Sequence, residues 1–281
     1  MDAAVKNTMR EDLVSIITPC YNSERYIAET IESVVSQTFQ SWEMIIVDDG
    51  SGDETAEIVN RFAGRDPRIQ YISQQNSGSA AARNNGIRRA EGRYIALLDS
   101  DDLWLPEFLE RQLRFMKEKD AAVVFCSYSR IGEKSEDILR PEYAKETVAV
   151  KDMQTMNYIG CLSGLYDTKR YGKVFLREEL KSVRDDYAYW YDIVALAGMA
   201  YGNPEILAKY RVLAGSTTGN KRKLIKKQYQ FYRNYLRLGA ARSIRNTLLW
   251  GMSGLRKFGV LPGPDRRLWP HSEDMSQRGG R

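Results

Sequence analysis

The sequence predicts an α/β fold: a mostly parallel central sheet covered by helices on both faces, followed by a C-terminal helical extension. Three observations lead there. Short apolar runs rich in branched residues alternate with stretches of helical periodicity over the first half of the chain. The runs are nearly continuous rather than alternating, as expected of strands buried on both faces. With 281 residues and 43% hydrophobic content, the chain can also fill a sizeable core.

The elements follow in order. Leu13–Thr18 reads as the first strand, and a helical pattern runs from Ser23 to Gln37. Met44–Asp48 is the second strand, followed by an amphipathic stretch from Asp53 to Phe62. Ile69–Ser73, a helix over Ser79–Ala90 and a strand over Tyr94–Asp99 come next. Pro106 suits a first helical turn, and Leu109, Leu113 and Met116 continue at helical spacing before the strand Ala121–Cys126. Beyond it the pattern is less regular, with strand-like pieces at Gly160–Tyr166 and Lys173–Leu176, an aromatic helix at Tyr187–Leu196 and a late strand at Ile206–Val212. The organisation expected is a tail over 1–12, a catalytic domain over 13–220, a basic amphipathic helical extension over 221–262 and a disordered tail over 263–281.

Charge and composition narrow the chemistry. The net charge of +5 averages two unlike parts: between Ile206 and Pro264 there is no Asp or Glu but thirteen Lys and Arg, so the remainder carries −8. The single histidine, His271, lies in the polar tail, which excludes Ser-His-Asp and Cys-His catalysis and histidine-ligated zinc. A general base must then be a carboxylate. Cys20, Cys126 and Cys161 are odd in number and scattered, which suits a reducing cytoplasm. Residues 1–12 lack the apolar core of a signal peptide, and no window is apolar enough to span a membrane. The expected location is cytoplasmic.

Ligands of such sheets bind beyond the carboxyl ends of the strands. There the sequence places Thr18-Pro19-Cys20-Tyr21-Asn22, then Asp48-Asp49-Gly50-Ser51-Gly52-Asp53, then Asp99-Ser100-Asp101-Asp102. Each alone reads equally well as a polar turn or helix cap. Together they gather carboxylates that repel unless a cation offsets them, and Mg²⁺ or Mn²⁺ with a diphosphate fits that need. Gly50-x-Gly52 invites a dinucleotide-binding reading, but Thr55 stands where a third small residue belongs and three aspartates would repel a pyrophosphate.

VSIITPCYN, IIVDDGSGDET, NSGSAAARNNGIRRAEGRYIALLDSDD and RDDYAYW, in this order, resemble inverting family 2 glycosyltransferases of the GT-A (nucleotide-diphospho-sugar transferase) fold. The resemblance runs from about Leu13 to Lys221 and is closest to bacterial enzymes of capsule, teichuronic acid and O-antigen synthesis. It implies transfer of a hexose or N-acetylhexosamine from a UDP-sugar to a lipid-linked saccharide. Thr18, Pro19 and Tyr21 match the segment against the uridine, Asp49 the carboxylate contacting the nucleoside, and Arg83 a nucleotide or phosphate contact. Asp99 and Asp101 match the metal-binding D-x-D, with Asp102 in support. Asp186 matches the catalytic base, and Asp185 stands where the family has Glu. Gly160, Ser163 and Trp190 resemble the acceptor side. Where many relatives place a histidine metal ligand, this chain reads Val212-Leu213-Ala214, and Arg211 and Lys221 resemble partial substitutes that bind diphosphate. A nucleotidyltransferase and a non-catalytic sugar-nucleotide-binding subunit are the alternatives; the first lacks its glycine-rich basic loop, and the intact aspartates speak against the second.

In the extension, Ile225, Tyr229, Tyr232 and Leu236 recur near helical spacing, as do Leu248, Met252 and Leu255. One reading packs this apolar side on the catalytic domain; another lays it on an anionic membrane at the inner face of the plasma membrane. Nucleic-acid binding has no recognised module to support it. A homodimer is compatible with the sequence.

Overall fold

A computed structural model describes residues 10–180, 184–213 and 221–257, the side chains of 221–223 and 256–257 excepted. The chain runs β1 (Arg10–Cys20), α1 (Ile27–Val35), β2 (Trp42–Asp48), α2 (Thr55–Ala63), β3 (Ile69–Ser73), α3 (Ser79–Arg89) and β4 (Gly92–Leu97). Next come β5 (Leu103–Trp104), α4 (Phe108–Glu118), β6 (Val123–Ile131), β7 (Asp137–Glu142), β8 (Thr147–Ala149) and α5 (Val150–Met153). The chain continues through β9 (Gly164–Asp167), α6 (Thr168–Tyr171), α7 (Asp185–Ala197), β10 (Met199–Arg211), α8 (Lys221–Gln230) and α9 (Ala240–Lys257).

The sheet order is β3-β2-β1-β4-β9-β6-β10-β5, with β7 on β6 and β8 on β10. β3, β2, β1 and β4 pair in parallel, as do β6 and β10, while β9 runs antiparallel between β4 and β6. Six strands therefore point one way, and their carboxyl ends share one edge. The apolar runs are explained by burial on both sides: Ile17, Ile45 and Leu97 face one core layer, and Ile16, Met44 and Ile46 the other. Each such side chain contributes roughly 1.5–3 kcal/mol.

The helix that matters most for the site is α3, which lies flat on β1 and β2. Its approach requires Gly86, where an added Cβ would stand 2.6 Å from Ile17 Cγ2. α7 is anchored by Tyr187, Tyr189, Trp190 and Ile193, all buried.

Several boundaries differ from the sequence reading. β1 begins at Arg10, inside the expected tail, because Arg10 N–H bonds to Glu91 O at 2.9 Å. β10 begins at Met199, since its first residues pair with β8. Lys173–Leu176 is not a strand. Its backbone is met by a side chain, Asn84 accepting from Leu176 N–H at 2.7 Å and donating to Leu176 O at 3.0 Å. The expected tail over 263–281 lies outside the described residues, and so do most of the expected tail over 1–12 and the end of the extension, 258–262.

Candidate active site

The loops at the carboxyl edge are stitched together. Ser23, after β1, donates its N–H to Thr55 Oγ1 at 2.7 Å and shares a 2.8 Å hydrogen bond with Ser100 Oγ. Asn22 N–H donates to Ser51 Oγ, and Gly52 N–H to Asn22 Oδ1, both at 2.9 Å. The three polar strand ends thus form one surface.

Their carboxylates do different jobs. Asp48 closes its own turn, accepting from Ser51 N–H, Ser51 Oγ and Tyr71 OH. Asp49 accepts from Gln74 Nε2 and from the N–H groups of Ser77 and Gly78, each at 2.8 Å, and so shapes the entry to α3. Arg83, on α3, is nine-tenths buried and bridges Asp99 to Asp185, whose Oδ2 lies 3.5 Å from the guanidinium. Ser79 Oγ also donates to Asp185 at 3.3 Å. Burial alone would lower the Arg83 pKa, but Asp99 and its other acidic neighbours hold it above its ordinary value.

Asp101 and Asp186 are left without an ion-pair partner among the described residues. Burial, then the neighbouring Asp99, pushes the Asp101 carboxyl up to about 6. Asp186 is raised by burial and then by Asp185; among the described residues its side chain accepts one side-chain hydrogen bond, from Asn157 Nδ2 at 3.4 Å. Both members of the Asp185-Asp186 pair sit in the first turn of α7, where the helix dipole favours carboxylates. Asp102 is fully enclosed, accepts Arg211 N–H at 2.8 Å and is held well above the usual carboxylate range by burial.

Other expected site residues are placed differently. Arg211 is enclosed, donating to Glu29 Oε2 at 2.6 Å, Asp101 O at 2.8 Å, Ser135 Oγ at 3.0 Å and Gly132 O at 3.1 Å. Its donors are spent inside the protein, so it is not free to bind a diphosphate. The Lys221 side chain lies outside the described residues. Trp190 is buried against Gly164 and offers no face to a sugar; Ser163 is buried, its hydroxyl bonded to Gly160 O at 2.9 Å. Gly160 is half-buried. Thr18 and Pro19 are buried within β1, leaving Tyr21 as the exposed residue of that segment. Asn157 and Glu29 went unnoticed in the sequence because neither belongs to a motif. Cys161, half-buried, donates from Sγ to Asp99 Oδ1 at 3.8 Å; burial keeps it a thiol, as expected of a non-nucleophile.

A divalent cation fits this donor set in one way. Asp99 is engaged by Arg83 and Asp101 is not, and among the described residues no cluster of three or more candidate ligands exists. The chain supplies part of a coordination sphere, which diphosphate and water would complete.

The sequence model of glycosyl transferase family 2 matches residues 15–170, more than half of the chain. The chain belongs to glycosyl transferase family 2. This glycosyltransferase is 40% identical over 227 residues to TuaG of Bacillus subtilis, named for teichuronic acid biosynthesis, covering 80% of this chain and 89% of TuaG. It is 32% identical over 239 residues to WfgD of Escherichia coli, a UDP-Glc:α-D-GlcNAc-diphosphoundecaprenol β-1,3-glucosyltransferase, covering 83% and 90%. Among solved structures it is similar to Staphylococcus aureus TarS 1-349 in complex with UDP-GlcNAc, with a TM-score of 0.65 at 22% identity over 86% of this chain and 72% of that one. The likeness to TarS establishes the GT-A-like fold of the glycosyltransferase.

Proposed function

We propose that this enzyme moves a hexose or N-acetylhexosamine from a UDP-sugar to a lipid-linked saccharide in cell-surface polysaccharide synthesis, with inversion at the anomeric carbon. The observation that carries the reading is the partition of four aspartates by one arginine. Of Asp99, Asp101, Asp185 and Asp186, Arg83 pairs with Asp99 and Asp185 and leaves Asp101 and Asp186 without an ion-pair partner among the described residues. Two unpaired acids match the two needs of the reaction, one for a cation and one for a proton. The names of TuaG and WfgD support the polysaccharide and the lipid-linked acceptor.

Asp186 serves as the general base, removing the proton of the acceptor hydroxyl as it attacks. Its raised pKa suits that task, since a base nearer neutrality holds a proton better while still ionising. Asp185 is held by Arg83 and Ser79 and positions the turn that carries Asp186. Asp101, with Asp99, would hold Mn²⁺ or Mg²⁺. When bound, the ion offsets the negative charge that develops on the departing diphosphate. Tyr21 presents its ring to the nucleotide, and Asp49 fixes the loop beneath it. The catalytic unit spans 13–220, and the 221–262 extension faces the cytoplasmic surface of the plasma membrane.

A thermal-shift series of UDP-sugars with and without Mn²⁺ tests the reading. Stabilisation by at least one UDP-sugar, larger with the metal, is expected; no response to any uridine nucleotide rejects it.

A further inference from the structure

Helix α9 is turned inside out. Ser243, Asn246 and Thr247 are buried, and Asn246 Nδ2 donates to Gln154 O at 2.7 Å. The apolar residues face outward instead: Ile244 is 52% exposed, Leu248 64%, Met252 44% and Leu255 40%. At spacings of four, four and three they form one stripe along the helix. In α9 this reverses the packing reading of the extension, whereas the segment before it keeps that packing, with Phe231, Tyr232, Leu236 and Leu238 buried in the core. Leu249 borders the stripe, and Ile225 on α8 is also exposed.

An exposed stripe on a folded chain calls for an apolar partner, and the charge around it selects one. Lys226, Lys227, Arg233, Arg237, Arg242 and Arg245 have no acidic partner among the described residues, and the sequence holds no Asp or Glu from Ile206 to Pro264. Two copies meeting through α9 would bring like charges together, which disfavours a dimer. An anionic lipid surface satisfies both features, accepting the apolar stripe and drawing the cations to its headgroups.

We infer that α9 docks on an anionic bilayer through Ile244, Leu248, Met252 and Leu255. The inference deepens the proposal of a membrane-borne acceptor and rests on it. The segment that holds α9 also reaches the site: Gln154 bonds to Asn246, and Asn157, three residues on, bonds to Asp186. Arg184, at the start of the base-bearing helix, lies over the Trp250 ring at 4.7 Å. Docking there brings the candidate base to the bilayer surface, where a lipid-linked sugar would be presented.

Flotation of the full chain with vesicles of phosphatidylcholine, alone or mixed with phosphatidylglycerol, tests this. Wild type is expected to float with the mixed vesicles and to lose binding as salt rises. Leu248→Glu/Met252→Glu should bind at least about tenfold more weakly. Lys226→Gln/Arg237→Gln/Arg245→Gln should lose the preference for phosphatidylglycerol. Melting temperature and UDP affinity should not change in either variant, because the altered side chains are exposed. Equal flotation of the stripe variant and wild type overturns the inference, as does equal wild-type binding to both vesicle types. A change from dimer to monomer in the stripe variant, with flotation intact, assigns the stripe to a second copy and also overturns it. Wild type that floats but binds no uridine nucleotide would reject the donor reading and leave the docking result standing.

Discussion

Replacing Arg211 by Met removes a guanidinium that is fully enclosed and bonded to Glu29, Asp101, Gly132 and Ser135. Its side chain is 0% exposed, while that of its partner Glu29 is 43% exposed. Glu29 would regain water, so the cost falls at or below the low end of the roughly 3–5 kcal/mol for breaking a wholly buried pair. The carbonyls of Asp101 and Gly132 and the Ser135 hydroxyl each lose a donor, at about 1 kcal/mol or more apiece. The two counts overlap, since one guanidinium makes both the pair and the three bonds, and a net loss of about 3 kcal/mol lowers the melting temperature by roughly 6–12 °C in a chain of this size. Because the Asp101 backbone is released, Mn²⁺ should bind more weakly, while UDP affinity measured by calorimetry without metal stays within about twofold of wild type. An unchanged melting temperature with UDP affinity lost would refute the reasoning and restore Arg211 as a direct phosphate ligand.

Three further outcomes follow from the structure. In Gly164→Ala the new Cβ would stand 2.3 Å from the buried Trp190 ring, so denaturant unfolding should show a loss of about 1–3 kcal/mol; no change would contradict the packing. Asp186 is held above its ordinary pKa, so transfer should fail as pH drops through a limb above the ordinary Asp value of about 3.9. Asp185→Asn removes a neighbouring negative charge, eases ionisation of Asp186 and should move that limb to lower pH in a kcat/KM profile; a shift to higher pH would contradict the sign.

What the sequence made legible was governed by local pattern. β1, β2 and β4 are read to within a few residues, because their burial on both faces writes itself as continuous apolar runs, while β3 is read to the residue and α3 to within one. The acidic strand ends were equally plain, since the fold places such residues on one edge. Less visible was anything decided by which partner a side chain finds. Asn84 pairing with the backbone of Leu176 turns a strand-like stretch into a loop. Arg211 reads as a free cation beside the site, yet Glu29, 182 positions away, takes it inside. Trp190 reads equally as an acceptor-side ring or as core, and the space that Gly164 opens for it decides for the core. In α9 the periodicity was legible, but which side faces inward depended on Gln154.

The measurement that bears most directly on the account is the behaviour of Asp186→Asn. The substitution keeps the size of the side chain and its reach to Asn157, and removes the capacity to accept a proton as a base. UDP release from a UDP-sugar in the presence of Mn²⁺ and acceptor should fall by at least about a hundredfold. UDP should bind the variant as tightly as wild type, because among the described residues Asp186 shares no hydrogen-bond or ion-pair partner with Asp49, Asp99 or Asp101. Near-normal turnover by Asp186→Asn would contradict the assignment of the base, and with it the division of the four aspartates by Arg83.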